Sequence, residues 1–127
     1  MSPSLIKNIA ISVISRYVSE QSDSKNKHYV FSYTITIENR SLSAFQLISR
    51  HWLIQNAAGH VEEVYGDGVV GKQPIINPGD NFSYSSGSVL NTEVGTMEGR
   101  YFMLDTKGKE FEVLIPKFVL SIPRTIH

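Results

Sequence analysis

The chain contains no cysteine among its 127 residues. A disulfide framework, a thiol nucleophile, an iron–sulfur cluster and every zinc site that uses a thiolate are therefore excluded. Long apolar runs are also missing. The uninterrupted ones extend only a few residues, too short for a helix that crosses a bilayer, and no membrane association is expected. An excess of either charge is lacking too: twelve Lys and Arg stand against twelve Asp and Glu. Residues 1–63 carry six basic and five acidic side chains, and residues 64–127 carry six and seven. Neither half is a basic arm or an acidic tail, which argues against nucleic-acid binding by bulk charge. Met1 to Asn8 has no apolar stretch behind a basic start, so no signal peptide is expected and a cytoplasmic location is the default.

What is present suits one folded domain over residues 1–127. Hydrophobic residues make up 41% of the chain and aromatics 10%, enough to build a core. The dominant hydrophobic period is two. Tyr29, Phe31, Tyr33, Ile35 and Ile37 alternate with Ser32, Thr34, Thr36 and Glu38, the pattern of a strand with one core face and one wet face. Ile9, Ile11 and Val13 repeat it, as do Phe111, Val113 and Ile115. Phe118, Leu120 and Ile122 take it up again after Pro116. In 45–54 the apolar positions change face, from Phe45 and Leu47 to Ile48, Trp52 and Ile54. Residues 97–104 are apolar on both faces, as in a central strand. Phe82 and Tyr84 mark a further strand, and Val61 and Val64 a weaker one.

Turn signals separate these runs. Asn77-Pro78-Gly79-Asp80 reads as a type II turn, Asp105 to Gly108 as a hairpin with a left-handed Gly, and Asn56 to Gly59 as another turn. Asn39 to Ser41 is a fourth, and Glu20 to Lys27 a polar loop. No window supports an amphipathic helix. Seven or eight short antiparallel strands make an all-β sandwich. A few residues at each end are expected to fray.

Motifs for chemistry are few. Gly66-Asp67-Gly68-Val69-Val70-Gly71 fits G-x-G-x-x-G, and Gly66 to Lys72 fits most of G-x-x-x-x-G-K. Both fingerprints hold phosphate on backbone N–H groups at a helix N-terminus. Here Pro74 and Pro78 forbid that helix, and Gln73 replaces the magnesium-holding hydroxyl. The competing reading is a connection whose glycines supply positive φ or close packing. His51 and His60 are nine apart; His60 and Glu62 share a strand face with no third ligand in sight, so no metal site is expected. Sixteen serines include no G-x-S-x-G elbow. Tyr84 to Ser88 reads as a polar strand end, and Glu62 and Glu63 point to opposite faces. Trp52 is expected in the core. Arg50, on its face, is expected at the core's edge with its guanidinium paired or stacked. Neither a catalytic constellation nor a cofactor is expected.

Taken together, Gln46 to Trp52, Glu63 to Gly71, Gln73-Pro74, Pro78-Gly79, Phe82 to Gly87 and Gly95 to Gly99 strongly resemble the ApaG family, also called CorD. The resemblance keeps order and spacing over residues 5–124, and Ile115-Pro116-Lys117-Phe118 with Leu120 and Pro123 matches as well. It implies an immunoglobulin-like or fibronectin type III-like sandwich. It implies no established enzyme activity, and a genetic link to cobalt and magnesium efflux. Related domains within a eukaryotic F-box protein and a polymerase-interacting protein look like interaction modules. The family's glycines, here Gly66, Gly68 and Gly71, have prompted nucleotide-binding proposals, although Lys72 stands where many members carry an acidic or other polar residue.

The leading expectation is a non-enzymatic module that binds another, unidentified protein, with homodimerisation the simplest version. Its contact surface is placed on the loop of Gly66, Asp67, Gly68, Gly71 and Lys72, with Glu63 and Arg50. A phosphate- or nucleotide-binding role for residues 66–72 is the alternative, and a divalent-metal-responsive factor the third reading.

Overall fold

The alternating segments become strands whose apolar sides face one another. In the computed structural model, which describes residues 8–123, the elements are β1 (Ile9–Tyr17), β2 (Tyr29–Asn39), β3 (Phe45–Asn56), β4 (Val61–Asp67), β5 (Ile75–Ile76), β6 (Asn81–Leu90), β7 (Val94–Asp105) and β8 (Glu110–Ser121). The ends expected to fray fall largely outside the described residues. One sheet has the order β1-β2-β6; the other runs β4-β3-β7-β8, with β5 pairing to the start of β3. All pairings are antiparallel. Tyr29, Phe31, Tyr33, Ile35 and Ile37 of β2 are buried, as are Met97, Tyr101 and Met103 of β7 and Phe111, Val113 and Ile115 of β8. These form the core between two sheets, a β-sandwich. The polar face of β2 meets β6 through paired hydroxyls, Thr34 with Ser85 and Thr36 with Ser83, each at 2.7 Å.

Several strands are longer than their patterns suggest, because a bulge lets a strand change its inward face without ending. In β3, Leu47 pairs with Met103 and Ser49 with Phe102, leaving Ile48 as the extra residue. Phe45 and Leu47 face the core before the bulge, and Trp52 does so after it. A second irregularity lies where Met97 pairs with Phe118 and Gly99 with Ile115. Pro116 sits there, and β8 runs through it instead of breaking. A proline within an edge strand at such a site forfeits no regular ladder bond. The inward series accordingly passes from Ile115 to Phe118 and Leu120. Tyr84 to Ser88, expected at a strand end, lies in the middle of β6.

The turns follow their residue chemistry. Gly59, Gly79 and Gly108 all have positive φ, and Asp80 N–H donates to the Asn77 carbonyl as a type II turn requires. The side chain of Asp105 accepts from the N–H groups of Lys109 and Lys107, and the Lys109 bond above all holds its carboxyl below the usual range. The polar loop of residues 20–27 is more ordered than its composition suggests. It contains two short 3₁₀ turns, Ser19–Gln21 and Ser24–Asn26. Ser22 Oγ ties it down by donating to Val18 O and accepting from Val30 N.

Asn39 fixes the corner where β2 ends. It is fully buried. Its Nδ2 donates to the carbonyls of Ser43 and Ile76, and its Oδ1 accepts from the N–H and hydroxyl of Ser41. One side chain thus satisfies groups of the 41–43 turn and of β5. Asn39→Ala would leave buried partners unmet, and we expect it to cost about 2–4 kcal/mol of stability in urea denaturation. A loss under about 1 kcal/mol would show that the corner holds without it.

Candidate functional site

The sandwich is closed along one side and open along the other. On the closed side β1 packs beside β8, and Ser15 Oγ donates to the Val119 carbonyl at 3.2 Å. On the open side stand the edge strands β4 and β6. Their inward-facing positions carry Glu62, Val64 and Gly66, and Ser86 and Ser88, where a closed sandwich would carry core residues. The result is a cleft of about 450 Å³ lined by Glu62, Val64, Ser86 and Ser88 with Arg50, Trp52, Ile54, Val89 and Met97, and by Tyr33. A second cleft of about 360 Å³ shares Ile54, Glu62 and Val89 with it and adds Lys27, His28 and His60.

Arg50 is placed by the β3 bulge, which turns it inward beside Trp52. Its guanidinium lies flat on the backbone of Gly66, where a Cβ would stand only 2.7 Å from Cζ and both terminal nitrogens. Nη1 donates to the carbonyls of Asp67 at 3.1 Å and Gly68 at 2.7 Å. The same bulge anchors the glycine loop: the Ile48 carbonyl accepts from Gly68 N–H at 2.7 Å and from Gln73 Nε2 at 2.9 Å. Gly68 has φ +61°, and a Cβ there would collide with the Lys72 carbonyl. Val69 and Lys72 then close a tight turn by bonding to each other in both directions. Val70 and Gly71 at its tip both have positive φ.

The loop therefore uses three of its N–H groups internally, those of Gly68, Val69 and Lys72, leaves those of Val70 and Gly71 at the exposed tip, and turns two carbonyls toward an arginine. Strand β5 follows the loop where a phosphate-binding helix would start. Arg50, on the cleft wall, comes together with the backbone of Gly66, Asp67 and Gly68. Lys72 meets Gly68 through its carbonyl, and Gly71 stands at the exposed tip. Glu63 faces the outer side of β4, its Oε1 4.0 Å from Nε2 of His51. Arg50 and Glu63, expected to share a contact surface, lie on opposite faces because strand neighbours alternate. His60 and Glu62 share a cleft wall, and among the described residues no three potential metal ligands converge.

Three phenols stand behind Arg50. The hydroxyls of Tyr84 and Tyr101 are hydrogen-bonded to each other, and Tyr33 packs edge-on to Trp52 with centroids 5.5 Å apart. Burial pushes all three phenols above their ordinary range; Ser86 and the guanidinium partly offset this at Tyr33, and Arg50 also acts on the other two. Trp52 is 2% exposed, and its Nε1–H meets no acceptor among the described residues. A buried unpaired donor costs about 1–3 kcal/mol. The sequence pattern gave no hint of Tyr33, Ser86 and Ser88 as site residues. The available signal was serine at alternate positions of 82–90, on the face that Phe82, Tyr84 and Leu90 turn to the core.

Fold and site together define a fibronectin type III-like sandwich with one open, polar side. A family model described as the ApaG domain matches residues 19–105, and the chain belongs to the ApaG family. It is 49% identical over 127 residues to Protein ApaG of Azoarcus sp. (strain BH72), the match covering both chains in full. It is 54% identical over 119 residues to Protein ApaG of Thiobacillus denitrificans, covering 94% of each. A Bordetella pertussis crystal structure named for ApaA superposes with a TM-score of 0.89 at 48% identity, over 92% of this chain and 95% of that one.

Two outcomes test this geometry. Gly66→Ala should push the guanidinium off its seat and cost about 1 kcal/mol, the worth of the hydrogen bonds to Asp67 and Gly68 that the shift breaks; Arg50 side-chain N–H resonances unchanged by the substitution would contradict the stacking. The raised phenols also set a pH limit. Their stabilising effect is full below the unfolded tyrosine value of about 10 and is lost as pH rises past it. Spectroscopic titration should show Tyr33, Tyr84 and Tyr101 resisting ionisation until the chain unfolds.

Proposed function

We propose that this chain is a non-enzymatic binding module whose partner is another protein, docked on the open side of the sandwich. The observation that carries this reading is the pair of free strand edges, β4 and β6, flanking a cleft lined with polar side chains. Every residue of β4 is exposed or half-exposed. Its outer edge offers unpaired backbone groups to an extended segment, and side-chain pockets beside such an edge supply specificity. A partner docking there buries about 600–1,000 Å² of this chain, one side of an ordinary specific interface. In the simplest version the partner is a second copy, with two β4 edges meeting across a twofold axis.

Phosphate or nucleotide binding by residues 66–72 is the alternative. The exposed Lys72 and the N–H groups of Val70 and Gly71 at the tip favour it; the internally used N–H groups of Gly68, Val69 and Lys72 and the absence of a following helix weigh against it.

A pull-down from the host comparing wild type with a folded Glu63→Arg, Lys72→Glu double variant tests the surface. We expect the variant to lose partners that wild type retains; recovery at equal yield removes β4 and its loop from the interface. In light scattering at micromolar concentration, self-pairing predicts twice the chain mass of 14.2 kDa, and a monomer retires that version. ATP binding tighter than about 10 μM that disappears in Lys72→Ala would instate the phosphate reading instead.

A further inference from the structure

Arg50 has donors left over. Its Nη1 serves the Asp67 and Gly68 carbonyls, and among the described residues the guanidinium meets no carboxylate. The rest of its planar fork borders the cleft. Two residues along the same face of β3 stands Trp52, with its unpartnered Nε1–H. The Cε3 edge of that indole lies against Gly99 on β7, and Nε1 lies on the opposite edge of the ring, buried. Ser86 and Ser88 on β6 bring hydroxyls to the opposite wall. Arg50, half-buried, and Trp52, with its buried N–H, thus line one cleft, and among the described residues neither is bonded to a carboxylate.

We propose that this cleft is a binding site for a carboxylate that carries an apolar body. The guanidinium fork and the Trp52 N–H take the oxygens, Ser86 and Ser88 complete their hydrogen bonds, and Ile54, Val64 and Met97 take the apolar part. A planar guanidinium matches a planar carboxylate in two parallel bonds. Arg50 is the one cation on the cleft wall and Glu62 the one carboxylate, so the bare cleft is formally neutral. Glu62 opposes any incoming anion, and a dianion about twice as strongly as a monoanion, which favours a carboxylate over a phosphate dianion. The inference deepens the reading of the open side as the binding side. The carboxylate belongs either to a free small molecule or to an acidic side chain or C-terminus of a protein partner.

Trp52 is the sole tryptophan, so a single indole N–H resonance reports on the site. Titrating the full chain with sodium benzoate should move that resonance saturably, with a Kd of about 1 mM or tighter. Benzamide, the same shape without the charge, should leave it in place. Ser88→Glu puts a negative charge on the far wall without touching the Arg50 contacts to the loop, and should weaken benzoate about tenfold or more. Arg50→Lys should weaken it as well, by losing the fork. A capped peptide with one Glu among apolar residues, set against its Gln counterpart, separates the sources. Binding about tenfold tighter than benzoate assigns the carboxylate to a protein, and binding no tighter than benzoate assigns it to a small molecule. The site is overturned by no shift up to about 20 mM benzoate, by an equal shift with benzamide, or by full affinity in both variants. A larger shift with inorganic phosphate than with benzoate overturns the carboxylate assignment. The titration needs no partner, so its failure leaves the docking surface standing, and a failed pull-down leaves the site standing.

Discussion

One extra residue in one strand organises this molecule. Without the bulge at Ile48, the inward set of β3 would continue from Phe45 and Leu47 to Ser49, His51 and Leu53. Trp52 would stand on the outer face and a histidine would occupy its place in the core. With the bulge, Phe45 and Leu47 fill one half of the sandwich, where Phe45 meets Phe111 edge-on. Trp52 fills the other half against Tyr33 and Phe118. The displaced Ile48 carbonyl does a second job by holding Gly68 and Gln73. The glycine loop and the arginine it covers therefore depend on the same irregularity as the core.

That dependence recasts the most conspicuous motif of the chain. Glycines spaced as in a phosphate-binding fingerprint invite a ligand reading, yet each answers a local steric demand. Gly66 makes room for a guanidinium, Gly68 passes close under a carbonyl, and Gly71 completes a reversed turn. The shared requirement is backbone without a Cβ, which phosphate loops and arginine seats both need. Spacing alone does not separate the two; the direction of the backbone groups does, because one presents N–H and the other C=O.

Period-two alternation made the sandwich legible, since β2 places every odd residue from Tyr29 to Ile37 in the core. Even the face change in β3 was visible, although its cause was not, because one additional residue carries no compositional mark. The continuity of β8 was hidden by Pro116, whose usual role as a strand breaker is cancelled where a ladder bond is already absent. The candidate site was less legible. Arg50 stands out in the sequence by its position beside Trp52, but its seat on Gly66 and the serines across from it are sixteen or more residues away. Their meeting depends on which two of the four sheet edges come face to face, and that is a property of topology.

The closure of β1 against β8 gives the sandwich a spine, and the gap between β4 and β6 gives it a free margin. Substitutions along a closed seam must preserve interlocking shapes. Those on the inner face of the margin, at Glu62, Val64, Ser86 and Ser88, border solvent and can change size or charge without repacking Ile35, Leu47 or Leu120. Such an architecture separates the part of the sequence that must stay fixed for folding from the part that is free to diverge in what it recognises. New specificity can then arise by single steps along one rim, with the fold left intact at every step.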